Sequence, residues 1–222
     1  SIILLKGHFC LALVLIRGLG RMQIISHRIN TLALLKKTPK VFGIEVDIRS
    51  NENKLIIHHD PFEKGEEFEE WIKCFNHKTL ILNVKEEGLE ERLLILMEKY
   101  KIEDFFFLDQ SFPFLRKTAF NGESRCAVRV SEYEDINTAL SLARRIDWVW
   151  VDCFSRFPLI KETAQQLQNA GFKLCFVSPE LQGRDADTEI PLLFNELYKL
   201  DIFPEAVCTK RPELWKNAQG LK

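Results

Sequence analysis

A (β/α)8 TIM barrel of minimal size is the α/β fold that this 222-residue sequence predicts, and three observations predict it. Eight short runs rich in β-branched and aromatic residues recur along the chain, and stretches with helical spacing separate them. No linker, low-complexity tract or second domain interrupts the alternation. A doubly wound open sheet is the alternative architecture.

The β-rich runs fall at 23–26, 43–48, 79–84, 105–108, 126–130, 148–152, 173–177 and 206–208, with a short hairpin arm at 54–57. Between them, Leu89, Leu93, Leu96 and Met97 repeat at helical spacing, as do Leu159, Thr163, Leu167 and Ala170. Ser131, with Glu134 three residues later, reads as a capping box. Ala170-Gly171-Phe172 reads as a helix end handing over to a strand. Trp148 and Trp150 share one face of their strand and are expected to pack under the helices. The domain is expected to span 22–222. Residues 1–21 hold an apolar run, 9–16, flanked by Lys6, His8, Arg17 and Arg21, and are expected to be an extension outside it, with a short membrane-associating helix as the alternative.

Composition limits the function classes. Lys plus Arg is 31 against 32 for Asp plus Glu, a formal net charge of −1 that gives no electrostatic reason for a nucleic-acid partner. No internal apolar run is long enough for a stable membrane span. The six cysteines are dispersed without a CxxC pair, which fits buried small hydrophobes in a reducing compartment and a cytoplasmic location. Composition leaves the oligomeric state open.

In a barrel the chemistry collects at the C-terminal strand ends. Those ends carry Ser26-His27-Arg28, Glu45-Val46-Asp47, Asn83-Val84-Lys85, Asp109, Arg129, Asp152 and Ser178-Pro179-Glu180, while the arm runs into His58-His59-Asp60. Glu45 and Asp47 are two apart on a strand, so their carboxylates share the inner face. Two buried carboxylates repel, and a divalent cation with a taste for oxygen, Mg²⁺ or Ca²⁺, resolves the conflict. His27 and His59 supply an acid and a base for phosphodiester cleavage. Arg28 and Lys85 offset charge on the phosphoryl oxygens. The loop after strand seven is a frequent substrate site, where Glu180 is placed to orient a sugar or glycerol hydroxyl and Arg184 to bind an anionic group.

The segments Ser26-His27-Arg28, Gly43-Ile44-Glu45-Val46-Asp47-Ile48 and Leu55-Ile56-Ile57-His58-His59-Asp60 together resemble the glycerophosphodiester phosphodiesterase signature. The resemblance implies a TIM barrel, His27 and His59 as the catalytic pair, Glu45 and Asp47 as metal ligands, and Arg28 and Lys85 on phosphate. Three departures stand out: Ile29 follows the His-Arg pair in place of glycine, the next loop is contracted to Ile29-Asn30-Thr31, and Asn83 stands where the family has a third carboxylate. Asp109 and Asp152 are the neighbouring carboxylates that compensate, and Asp152 is taken as the further metal ligand. The expected activity is hydrolysis of a small-molecule or glycan phosphodiester of glycerol or a similar polyol, of the kind met in lipid metabolism. A non-catalytic barrel that binds a phosphorylated glycan at a degenerate metal site is the alternative from another class. A Schiff-base aldolase using Lys85 is a weaker one.

Overall fold

Every β-rich run forms a strand in the computed structural model, which describes residues 22–220; the expectations for residues 1–21 lie outside the described residues. The elements are β1 (Gln23–Ser26), α1 (Leu32–Lys37), β2 (Gly43–Asn51), β3 (Lys54–Ile57), β4 (Glu66–Glu67), α2 (Phe68–Ile72), β5 (Leu80–Val84), α3 (Glu90–Lys99), β6 (Phe105–Leu108), α4 (Phe112–Phe120), β7 (Ala127–Val130), α5 (Ile136–Leu140), β8 (Trp148–Val151), α6 (Lys161–Asn169), β9 (Lys173–Val177), a 3₁₀ turn (Pro179–Gln182), α7 (Ala186–Leu200), β10 (Ala206–Thr209) and α8 (Pro212–Ala218).

The parallel strands neighbour one another in the order β6, β5, β2, β1, β10, β9, β8, β7. The two outer strands of this series meet at one parallel bridge between Phe107 and Cys126, where the Phe107 N–H donates to the Arg125 carbonyl at 2.9 Å. The fold is therefore α/β, with a strongly curled parallel sheet. β3 and β4 form an antiparallel arm appended to β2.

Period-two alternation sorts the strand residues into two cores. Ile44, Val46 and Ile48 on β2, with Leu80, Leu82 and Val84 on β5, pack outward with helix residues such as Leu93 and Leu115. Ile25, Ile81, Phe106, Cys175, Ala206 and Cys208 point the other way and form a second cluster enclosed by the strands. Trp148 and Trp150 belong to this inner cluster, contrary to the expectation that they lie under the helices. Small neighbours, Ala127, Cys175, Ala206 and Cys208, leave room for the indoles, and Trp148 stacks on Phe106 at 4.5 Å between centroids. The partners of the two tryptophans, Val149 and Val151, take the helix side.

Gly43 begins β2 where β1 and the start of β5 crowd it; a Cβ there would stand 2.8 Å from both Ile25 Cγ1 and the Thr79 carbonyl oxygen. Thr31 caps α1 by accepting the Leu34 N–H at 3.1 Å. At the end of α6, Gly171 takes φ +100°, and β9 starts two residues later, as the Ala170-Gly171-Phe172 pattern predicts. Ser131 and Glu134 do pair, Oγ to Oε2 at 2.6 Å, but they close a tight turn; Asp135 is the cap of α5, accepting the Asn137 N–H at 2.7 Å. Among the described residues no helix is long and apolar enough to cross a membrane.

Candidate active site

The parallel register of β2 and β5 sets Asp47 opposite Asn83 and Glu45 opposite Ile81. Glu45, Asp47 and Asn83 are all buried on the inner face, at 0%, 1% and 5% exposure. The Asn83 amide donates to Glu45 Oε1 at 2.8 Å, and the Arg28 N–H donates to Glu45 Oε2 at 2.5 Å. Burial, reinforced by Asp47, still holds the Glu45 carboxyl well above the usual carboxylate range, against the pull of those two hydrogen bonds.

The end of β1 bends over this pair. Arg28 takes φ 55°, a left-handed conformation in which its N–H meets Glu45, and its guanidinium Nε lies 3.3 Å from Asp47 Oδ2. His27 Nε2 lies 3.7 Å from Glu45 Oε2. Burial first, then the cations Arg28 and Lys210, lower the His27 pKa to about 3, so the ring is neutral at ordinary pH. Asn30 grips Asp47 twice, its amide donating to Oδ2 at 2.7 Å and its carbonyl oxygen accepting the Asp47 N–H at 3.0 Å. The contracted loop thus has a structural use.

A row of alternating charges continues around the sheet. Lys85 Nζ sits 3.3 Å from Asp47 Oδ1 and 3.2 Å from Asp109 Oδ2. Arg129 is held between Asp109 and Asp152 and lies 3.8 Å from Glu134. The remaining oxygen of Asp152 accepts from Gln182 Nε2 at 2.5 Å. Both Asp152 oxygens are therefore engaged by donors, and the compensating metal role expected for Asp152 and Asp109 meets guanidinium instead.

His59 comes in on the arm, its ring Nδ1 2.8 Å from Asp60 Oδ1. Hydrogen bonding to His59 and the nearby Arg28 charge lower the Asp60 pKa. The arm is braced twice. Arg49 Nε and Nη2 donate to the His59 carbonyl at 3.1 and 2.9 Å, while its Nη1 donates to the Lys85 carbonyl at 3.3 Å. Glu66 accepts the Leu32 N–H at 2.7 Å, tying the arm to the start of α1. One guanidinium thus fixes His59 relative to Lys85.

Glu180 is engaged as a latch between strand ends. It accepts from Thr209 Oγ1 at 2.6 Å, from the Lys210 N–H at 2.8 Å and from Ser178 Oγ. Thr209 in turn accepts the His27 N–H through its carbonyl at 2.8 Å, so Glu180 supports the backbone under His27. Arg184 Nη2 donates to the Cys153 carbonyl at 2.9 Å, with its Nη1 3.8 Å from Glu189, and is not free in an exposed loop. Arg49, Asn30, Arg129 and Lys210 were not singled out as site residues by the sequence. Of these only Arg129, at a strand end, carried a positional signal.

Among the described residues no three histidine, cysteine or carboxylate side chains converge as a ready metal cage. The oxygen donors that do converge are two carboxylates and one amide. Asn83 Oδ1 is buried without a hydrogen-bond partner, and Asp47 Oδ1, equally buried, meets only the Lys85 ammonium at 3.3 Å. An orphaned amide oxygen beside two buried carboxyls, one of them held above its usual range, fits a divalent cation of the Mg²⁺ or Ca²⁺ class.

No family model matches this sequence, and no curated protein matches it. Among solved structures, a glycerophosphoryl diester phosphodiesterase from Parabacteroides distasonis is similar over 90% of this chain and 87% of its own, with TM-score 0.65 and 15% identity. A glycerophosphodiester phosphodiesterase from Agrobacterium tumefaciens is similar over 90% and 99%, with TM-score 0.62 and 12% identity. An N-(5'-phosphoribosyl)anthranilate isomerase from Pyrococcus furiosus aligns over 90% and 97% at TM-score 0.50 and 16% identity. At these identities the likeness establishes the kind of fold, a TIM-barrel-like one shared with phosphoric diester hydrolases.

Proposed function

We propose that this chain is a phosphodiesterase on a full (β/α)8 barrel, cleaving a glycerol or similar polyol phosphodiester by two-histidine acid/base catalysis. The observation that carries the reading is the register of Asp47 against Asn83, which gathers the Glu45–Asp47–Asn83 oxygens under His27, Arg28 and Lys85 at the C-terminal strand ends. The Phe107–Cys126 bridge and the two phosphodiesterase structures support the closed barrel and the reaction class.

Glu45, Asp47 and the Asn83 amide oxygen would hold the divalent cation, which supplies Lewis-acid stabilisation of phosphoryl charge when bound. Arg28 and Lys85 take up charge on the same oxygens, and each already sits within 3.3 Å of Asp47. His27, whose Nε2 lies 3.7 Å from Glu45 Oε2 at the end of β1, removes the proton from a substrate hydroxyl adjacent to the phosphate. That oxygen forms a new bond to phosphorus as the bond to the departing alcohol breaks. His59, oriented by Asp60 through Nδ1, delivers a proton to the leaving oxygen from Nε2. Water then opens the cyclic phosphate, or the cyclic ester departs.

A phosphate-binding barrel without turnover is the second reading, and the amide at Asn83 in place of a carboxylate favours it. One experiment separates the two: phosphorus NMR of a glycerophosphodiester incubated with the protein plus Mg²⁺, Ca²⁺ or EDTA. Cation-dependent loss of the diester resonance supports the enzyme; an unchanged spectrum in all three conditions overturns it.

A further inference from the structure

The two carboxylate oxygens of Asp47 are used differently. Oδ2 accepts from the Asn30 amide at 2.7 Å and lies 3.3 Å from the Arg28 guanidinium Nε. Oδ1 is buried without a hydrogen-bond donor, and the Lys85 ammonium lies 3.3 Å from it. A divalent cation reaching Asp47 therefore has one oxygen to take, and Lys85 already sits against it.

Lys85 has a second carboxylate within reach, since its Nζ lies 3.2 Å from Asp109 Oδ2. Asp47 lies on β2, Lys85 directly follows β5 and Asp109 directly follows β6, three neighbouring strands with the ammonium between two acids. Asp109 is fixed without help from Lys85. It takes φ 61°, a left-handed conformation that aspartate and asparagine tolerate, and its Oδ1 is held by Arg129. Arg129 is gripped in turn by Asp152, whose second oxygen accepts from Gln182 Nε2 at 2.5 Å. Burial pushes the Asp109 pKa up, but the Arg129 and Lys85 charges outweigh it and hold it below the usual value. Anchored from behind and charged, Asp109 keeps Oδ2 directed at the ammonium.

A divalent cation and an ammonium on one buried carboxylate oxygen repel each other. We propose that Lys85 and the cation compete for Asp47 Oδ1, and that Asp109, backed by Arg129, is the positioning residue that receives the ammonium when the cation takes that oxygen. Lys85 then stays at the strand ends with N–H donors free for a phosphoryl oxygen. This rests on the assignment of a divalent cation to Glu45, Asp47 and Asn83, and cation binding tests it without any turnover.

The full chain, Asp109→Asn, Lys85→Met and the double variant are titrated calorimetrically with Mg²⁺ alone and with Ca²⁺ alone. Asparagine suits the left-handed backbone and removes only the charge. Asp109→Asn is expected to weaken cation binding about tenfold, because Lys85 is left with Asp47 as its one acid. Lys85→Met, with the competing ammonium gone, should bind about tenfold tighter than the parent. In the Lys85→Met background, Asp109→Asn should cost less than about twofold. In the parent, the Lys85 Cε NMR signal, identified by its absence from Lys85→Met, should shift with the same midpoint as the heat. A loss of equal size in both backgrounds would make Asp109 a distant charge and overturn the proposal. Binding that Lys85→Met leaves unchanged or weakens, or a Lys85 signal that stays still, overturns it too, with the cation assignment intact. The expected coupling without diester cleavage sustains the proposal and removes only the hydrolase reading. No binding of either ion by any of the four proteins overturns the cation assignment and the proposal together.

Discussion

Asn83 donates its side-chain amide to Glu45 Oε1 at 2.8 Å across the β2–β5 pair, one strand away from the buried Asp47. A neutral donor here satisfies a carboxyl whose burial disfavours its charge, and leaves the amide oxygen unpaired. The folded chain is thereby stabilised without a cation, while fewer charges hold one.

Asn83→Asp should reverse that balance. A third carboxylate beside Glu45 adds repulsion, so the variant is expected to melt at lower temperature than the parent in EDTA. With Mg²⁺ or Ca²⁺ it should gain more in melting temperature than the parent does, because the cation binds the folded state more tightly. Thermal melts with and without each ion check both signs. Equal ion-induced shifts in parent and variant would remove Asn83 from the cation site.

Arg49 connects the His59 carbonyl to the Lys85 carbonyl through three N–H donors. Lysine keeps the charge but loses the planar fork. Arg49→Lys is expected to lower kcat about tenfold, with a smaller change in KM, since two of the three N–H donors hold the His59 carbonyl and only one holds Lys85. In a His59→Ala background the same substitution should cost almost nothing. Additive losses in the double variant would show that Arg49 acts elsewhere.

Glu132 accepts the N–H groups of Phe154, Ser155 and Arg156 at 3.1, 2.6 and 2.7 Å, joining the loops after β7 and β8. Partial burial pushes its pKa up, but those N–H donors outweigh it and bring it to about 2 from 4.5. The folded value is depressed, so the stabilisation is complete above 4.5 and is lost as pH falls towards about 2. Glu132→Gln should therefore lower the melting temperature at about pH 6 and converge on the parent in strong acid. A difference that stays constant over that range would contradict the assignment.

Strand positions and the polar strand ends were legible because period two, turn residues and buried-run composition are local signals. Gln23–Ser26 and Lys173–Val177 form at the predicted bounds, and β2 extends three residues beyond its run because the β3 arm pairs with its tail. The side taken by Trp148 was not legible, since alternation gives two faces without saying which one is enclosed. Small residues on other strands decided it. The ion pair of Asp152 was not legible for a related reason: its partner Arg129 lies 23 positions away in sequence but on the adjacent strand. Asn30 and Arg49 act through contacts 17 and 10 residues distant, which no motif spacing announces.

The division of labour between the two histidines is the central claim, and leaving-group dependence tests it most directly. Parent, His27→Ala and His59→Ala are compared on glycerophosphodiesters with an alkyl and a nitrophenyl leaving group. Parent turnover is expected on both. Each variant should lose about 10²–10⁴-fold on the alkyl ester, and only His59→Ala should recover on the nitrophenyl ester, whose departing oxygen needs no proton. Near-parent rates in both variants, or recovery of His27→Ala instead, would contradict the account.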